Sequence, residues 1–97
     1  MLETIQAGEQ LIAIIVRSTF RENGIRFLTP NAFSQQLAYM RHPVGKLIEP
    51  HVHNPVPREV VYTQEVLFLK RGKLRVDFYD DKCSYLESRI LDAGDTI

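Results

Sequence analysis

Gly45-Lys46-Leu47-Ile48-Glu49-Pro50-His51-Val52-His53, followed after eleven residues by Glu65 and after six more by Gly72, is the most informative part of this sequence. In an extended strand, residues two apart point to the same side with a rise of about 3.3 Å each, so His51 and His53 aim both rings at one point. Metal–nitrogen bonds of about 2.0–2.1 Å are compatible with that spacing. Pro50 holds the backbone extended ahead of the pair, and Asn54-Pro55-Val56-Pro57 ends the strand in a stiff loop. Glu65 is expected on a neighbouring hairpin strand, at a depth set by its distance from the turn residue Gly72. Two imidazole nitrogens and one carboxylate form a borderline-hard donor set, suited to a divalent transition metal: Fe, Mn, Ni, Co, Zn or Cu. Glu49 and Glu59 compete for the carboxylate role. Glu49 shares the parity of the histidines but precedes both, and Glu59 falls in the loop, so Glu65 is preferred. His42 reads as an ordinary, partly exposed residue at a strand end.

Downstream, Lys73-Leu74-Arg75-Val76-Asp77-Phe78-Tyr79 alternates polar and apolar with period two, which puts Leu74, Val76 and Phe78 on one face of a strand. Arg71-Gly72 is expected to turn Val61 to Lys70 into that strand, glycine supplying the positive φ of a tight hairpin. Asp80-Asp81-Lys82 marks the next turn, Tyr85 to Leu91 the next strand, and Asp92-Ala93-Gly94-Asp95 another turn. Val61 to Lys70 does not alternate. With Glu65 inward, Val66 and Phe68 face out and need covering, either by a sheet of a second subunit or by the N-terminal strand.

Upstream, Leu11 to Arg17 is rich in isoleucine and valine and reads as a strand buried on both faces. Thr29-Pro30-Asn31-Ala32-Phe33 suggests one short helical turn, and Gln35 to His42 an extended segment stopped by Pro43 and Gly45. The fold class is all-β: a meander of short antiparallel strands forming a barrel or sandwich.

The chain has 97 residues, 44% hydrophobic and 25% charged, enough for one domain with a modest core. Twelve basic and twelve acidic side chains cancel without gathering into blocks, so neither nucleic acid nor a membrane is an expected partner. No basic leader or apolar span opens the chain, and a cytoplasmic location is expected. The single cysteine, Cys83, agrees with a reducing compartment and reads as an exposed thiol beside a turn. A domain this small gains from any additional covering of its surface, so a homodimer is expected as well.

The residues now resemble a known superfamily, the cupins, whose first motif runs glycine, five residues, HxH, a short gap, glutamate, six residues, glycine. Gly45, His51, His53, Glu65 and Gly72 reproduce it with two of three spacings unchanged, and the gap of eleven before Glu65 exceeds the usual three or four. Such an insertion falls in a loop and leaves the ligands in place. Leu91-Asp92-Ala93-Gly94-Asp95-Thr96-Ile97 looks like the opening of the second motif only. The resemblance implies a cupin-type antiparallel β-barrel (a double-stranded β-helix, or jelly roll), incomplete at its C-terminal end. Residues 1–34 would supply an N-terminal strand and short helical turn, and residues 35–97 the first part of the barrel. It also implies a metal held by His51, His53 and Glu65 with a fourth ligand beyond Ile97.

Three functions compete on that basis. A metal-dependent enzyme would polarise a carbonyl or hydroxyl of a small polar molecule, such as a sugar derivative or an organic acid. A binding or sensor domain would use the same metal without turnover. A metal-independent sugar isomerase or epimerase would use one histidine of the pair as a general base.

Overall fold

The computed structural model describes residues 1–97 and contains strands and turns with no helix. Six strands form three two-stranded antiparallel sheets: β1 (Leu2–Ala7) with β2 (Gln10–Val16), β3 (Gly24–Phe27) with β4 (Ala38–Arg41), and β5 (Lys73–Tyr79) with β6 (Tyr85–Asp92). The all-β class is therefore present as small open sheets, none of which closes into a barrel. The chain divides into two compact units, one made of Met1–Phe20 with Glu65–Ile97, the other of Arg21–Gln64.

The first unit holds the core. Ile5 of β1, Ile15 of β2, Phe78 of β5 and Leu91 of β6 are buried together, with Ile12, Ala13, Leu69, Val76, Leu86 and Ile97 packed around them. Period-two alternation explains the selection: Val76 and Phe78 turn inward from β5 while Arg75 and Asp77 face solvent. Leu74, on the same face but nearer the hairpin's open end, remains exposed. Asp80 shapes the β5–β6 turn, its Oδ1 accepting the N–H groups of Lys82 and Ser84 at 2.9 Å each.

Three expectations are corrected in this unit. Arg71-Gly72 does give a left-handed glycine, φ 86°, but the segment before it does not pair with β5. Instead Leu67 exchanges backbone hydrogen bonds with Ile97 (2.8 and 2.9 Å), and Leu69 accepts from Gly94 and donates to Asp95. Asp80 gives β5 a tight turn into the alternating partner β6, and Leu69 gains burial by lying against the chain's last residues instead. Thr96 in turn pairs with Val16 at the end of β2, so residues 95–97 run between β2 and residues 67–69. Val66 and Phe68 stay exposed. The second correction is β1 itself, a strand not anticipated, although Leu2, Thr4 and Gln6 alternate with Glu3, Ile5 and Ala7 ahead of the Gly8 turn. The third concerns β2, where only Ile15 is fully buried and the remaining apolar residues are half-buried.

In the second unit, β3 and β4 pair in register from Gly24↔Arg41 to Phe27↔Ala38. β4 occupies most of the second half of the anticipated Gln35 to His42 segment. The expected helical turn is a single turn closed by Phe33 N–H donating to Pro30 O at 3.1 Å. Thr29 does not cap a helix. Its hydroxyl accepts from Leu37 N–H (3.1 Å) and donates to Gln36 Oε1 (2.8 Å), which holds the loop closed. Gln36 Nε2 donates to the carbonyls of Pro30 and Phe33, and the Arg58 guanidinium donates to those of Asn31 and Phe33.

Candidate metal site

His51 and His53 lie in the second unit, in a stretch without regular secondary structure, rather than on a strand. The reason is local. Pro50, Pro55 and Pro57 lack the N–H that a ladder needs, and three such residues within eight positions deny the segment a paired edge. The rings nevertheless stay together, with centroids 5.4 Å apart and planes at 75°.

His51 Nδ1 lies 3.0 Å from the carbonyl oxygen of Glu49. A carbonyl can only accept, so Nδ1 carries the proton, and in the neutral ring Nε2 keeps its lone pair. Glu49, considered above as a rival ligand, thus acts through its backbone: it fixes the tautomer and the tilt of the ring, as backbone carbonyls commonly do for metal-bound histidines. Both histidines are exposed.

Glu65 opens the returning segment of the first unit and is also exposed. Within each unit, no three His, Cys, Asp or Glu side chains gather into a group that could hold a metal. His42 follows β4 directly and is half-buried; its Nε2 is shielded and has no hydrogen-bond partner. Cys83 is exposed in the β5–β6 turn with φ 64°.

Glu59 lines a shallow cleft of about 330 Å³ in the second unit, together with Phe33, Ser34, Val60, Tyr62 and Gln64. Arg58, bonded to two carbonyls of the Asn31–Phe33 turn, ties the two walls of that cleft together. Sequence spacing gave no signal for it, because Phe33 and Tyr62 are far apart in the chain.

The most highly organised polar group in the molecule is elsewhere and was not anticipated. Asp95 is 2% exposed. Its Oδ1 accepts Ser18 N–H at 2.8 Å, and its Oδ2 accepts Asp92 N–H at 2.8 Å and Arg17 Nη1 at 3.0 Å. Arg17 also donates to Glu3 and to the carbonyl of Ile90, and Glu3 receives Arg89 at 3.1 Å. Burial pushes the Asp95 carboxyl upward, but the N–H groups of Asp92 and Ser18 and the Arg17 guanidinium outweigh it and hold it below the ordinary carboxylate range. The Arg17 hydrogen bond, opposed by some burial and reinforced by Arg89, lowers Glu3 in the same direction. Every acceptor of this network is used internally, so its work is structural: it fastens β1, β2 and β6 around the core.

Comparison of the chain with protein-family models, with curated proteins and with solved structures finds no match.

Proposed function

We propose that this chain is a metal-binding domain of the cupin type, a double-stranded β-helix, in which His51, His53 and Glu65 hold a divalent transition metal for chemistry on a small polar molecule. One observation carries the proposal: the His51 ring is anchored through Nδ1 to the Glu49 carbonyl beside the His53 ring, which leaves Nε2 as a donor. The pair passes a simple fit test. A ring bound through nitrogen has its centroid about 3.2 Å from the ion, so two rings sharing one ion can lie up to about 6.4 Å apart. The observed 5.4 Å falls inside that span.

The donor chemistry supports the same reading. Two neutral nitrogens bind without adding charge, and the Glu65 carboxylate offsets part of the charge of a divalent ion. When bound, the metal would supply Lewis-acid polarisation of a carbonyl or hydroxyl oxygen. The residues of this chain bind and orient: His51 and His53 through nitrogen, Glu65 through oxygen, and the Glu49 carbonyl by fixing the first ring.

Calorimetric titration with Zn²⁺, Co²⁺ and Mn²⁺ tests the proposal. One ion per chain is expected, with affinity reduced at least about tenfold in His51→Ala and in His53→Ala. Undiminished binding by the variant carrying both substitutions would exclude this site.

A further inference from the structure

The cleft of about 330 Å³ is formed by residues 32–34 and 59–64, so both of its walls belong to the second unit. Hydrogen bonds behind the walls set its shape. Gln36 Nε2 donates to the Pro30 and Phe33 carbonyls and closes the loop of one wall, while Arg58 reaches from the other wall to the Asn31 and Phe33 carbonyls. Phe33 is half-buried in the first wall. Tyr62, in the second, is 75% exposed, so its ring is open to a ligand, and Val60 and Val61 supply further apolar surface.

Charge decides what fits. Glu59 is the one charged side chain of the lining, and its carboxylate takes part in no ion pair or hydrogen bond. Arg58, its neighbour in the chain, spends its N–H groups on the loop carbonyls instead. That guanidinium keeps its charge close by, so Glu59 acts on a ligand by direct contact rather than through a long-range field. An exposed ion pair by itself gives at most about fivefold in affinity. A cation over an aromatic face adds about two- to fivefold, which only a ligand reaching both features collects. An anion is repelled by Glu59, and a bare metal ion leaves the rings uncovered.

We propose that this cleft binds a small organic cation, a protonated amine carried on a single-ring apolar body, with its ammonium against the Glu59 carboxylate and its body between Phe33 and Tyr62. The cavity lies at the small end of the range for ligand sites, about 300–1,000 Å³, which limits the body to about one ring. None of His51, His53 and Glu65 lines the cleft, so the assignment stands apart from the metal reading.

Amide chemical-shift titration of the whole chain, in EDTA to keep metal out, tests the proposal with three probes of similar size: phenethylamine, 2-phenylethanol and 3-phenylpropionate. The amine is expected to give saturable shifts at residues 32–34 and 59–64, and the alcohol to bind there about fivefold or more weakly. The carboxylate should give no saturable shift. Glu59→Gln, which removes charge from an exposed side chain without a partner, should weaken the amine about fivefold and leave the alcohol unchanged. Tyr62→Ala should weaken the amine about threefold. Shifts that do not saturate at these residues would mean an adventitious additive only and overturn the proposal. An alcohol or carboxylate that binds as tightly as the amine overturns it too, as does an amine affinity unaltered by Glu59→Gln. The comparison of the three probes on the wild type decides the matter should a variant fold poorly.

Discussion

Arg17 and Asp95, 78 positions apart, meet at 3.0 Å through Nη1 and Oδ2, and the carboxylate has no water-facing side on which to find a replacement partner. Asp95→Ala removes acceptors from the Ser18 and Asp92 amides and one of the two carboxylate partners of Arg17, which keeps Glu3. The expected loss is about 2–3 kcal/mol, from the charge-assisted hydrogen bonds that the two amides and the guanidinium lose together. Urea unfolding followed by circular dichroism measures it. A loss under about 1 kcal/mol would show that the network contributes nothing beyond a surface ion pair.

Acid should act through the same residues. Glu3 and Asp95 are both held below their ordinary values in the folded chain, so the unfolded chain binds more protons wherever these groups titrate. Their stabilisation is complete above the unfolded carboxylate range, about pH 4, and is lost as pH falls further through the lowered folded values. Thermal melts recorded from neutral pH downward should show Tm constant at first and then falling. Asp95→Asn should flatten that fall, and an identical pH profile in the variant would refute the assignment.

Gly94 has φ 91°, and a Cβ built on it would lie 2.9 Å from Ser18 Cβ. Gly94→Ala therefore meets both backbone strain and a close contact with a residue whose own amide is fixed by Asp95. A destabilisation of about 2–3 kcal/mol is expected. Adding Ser18→Gly should recover part of it by removing the contact, though not the strain. Simple additivity of the two substitutions would mean that the contact carries none of the cost.

Metal binding should register in stability. An ion that binds the folded chain alone, present at about a hundredfold its Kd, adds about 2.7 kcal/mol. Differential scanning calorimetry should show an upward shift in Tm that His51→Ala abolishes and Glu65→Ala reduces. A shift equal in wild type and both variants would place the ion elsewhere.

The parts of this structure that could be read from sequence are those with local causes. Leu74, Val76 and Phe78 announced β5 by alternation, Asp80 announced its turn, and the isoleucine-rich run announced β2. The partner of residues 67–69 was not legible. Gly72 gives an equally good turn towards β5, and only the tertiary gain at Leu69 selects residues 95–97. The role of Asp95 was hidden for a similar reason: an Asp after Gly94 looks like turn chemistry until Arg17 and Ser18 arrive from the other end of the chain. Around the candidate site the order of difficulty was reversed. The spacing of His51 and His53 suggested a strand, whereas the prolines that flank them determine the backbone.

The insertion of residues 95–97 between Val16 and residues 67–69 governs when this protein can fold during synthesis. The β1–β2 hairpin leaves the ribosome early but cannot close its core until β6 and residues 95–97 have followed. The Arg21–Gln64 unit, none of whose residues is buried, emerges in between with Ile25, Phe27 and Met40 exposed. Nascent chains stalled before residue 95 should accordingly be protease-sensitive throughout, and protection should arrive in one step rather than from the N-terminus forward.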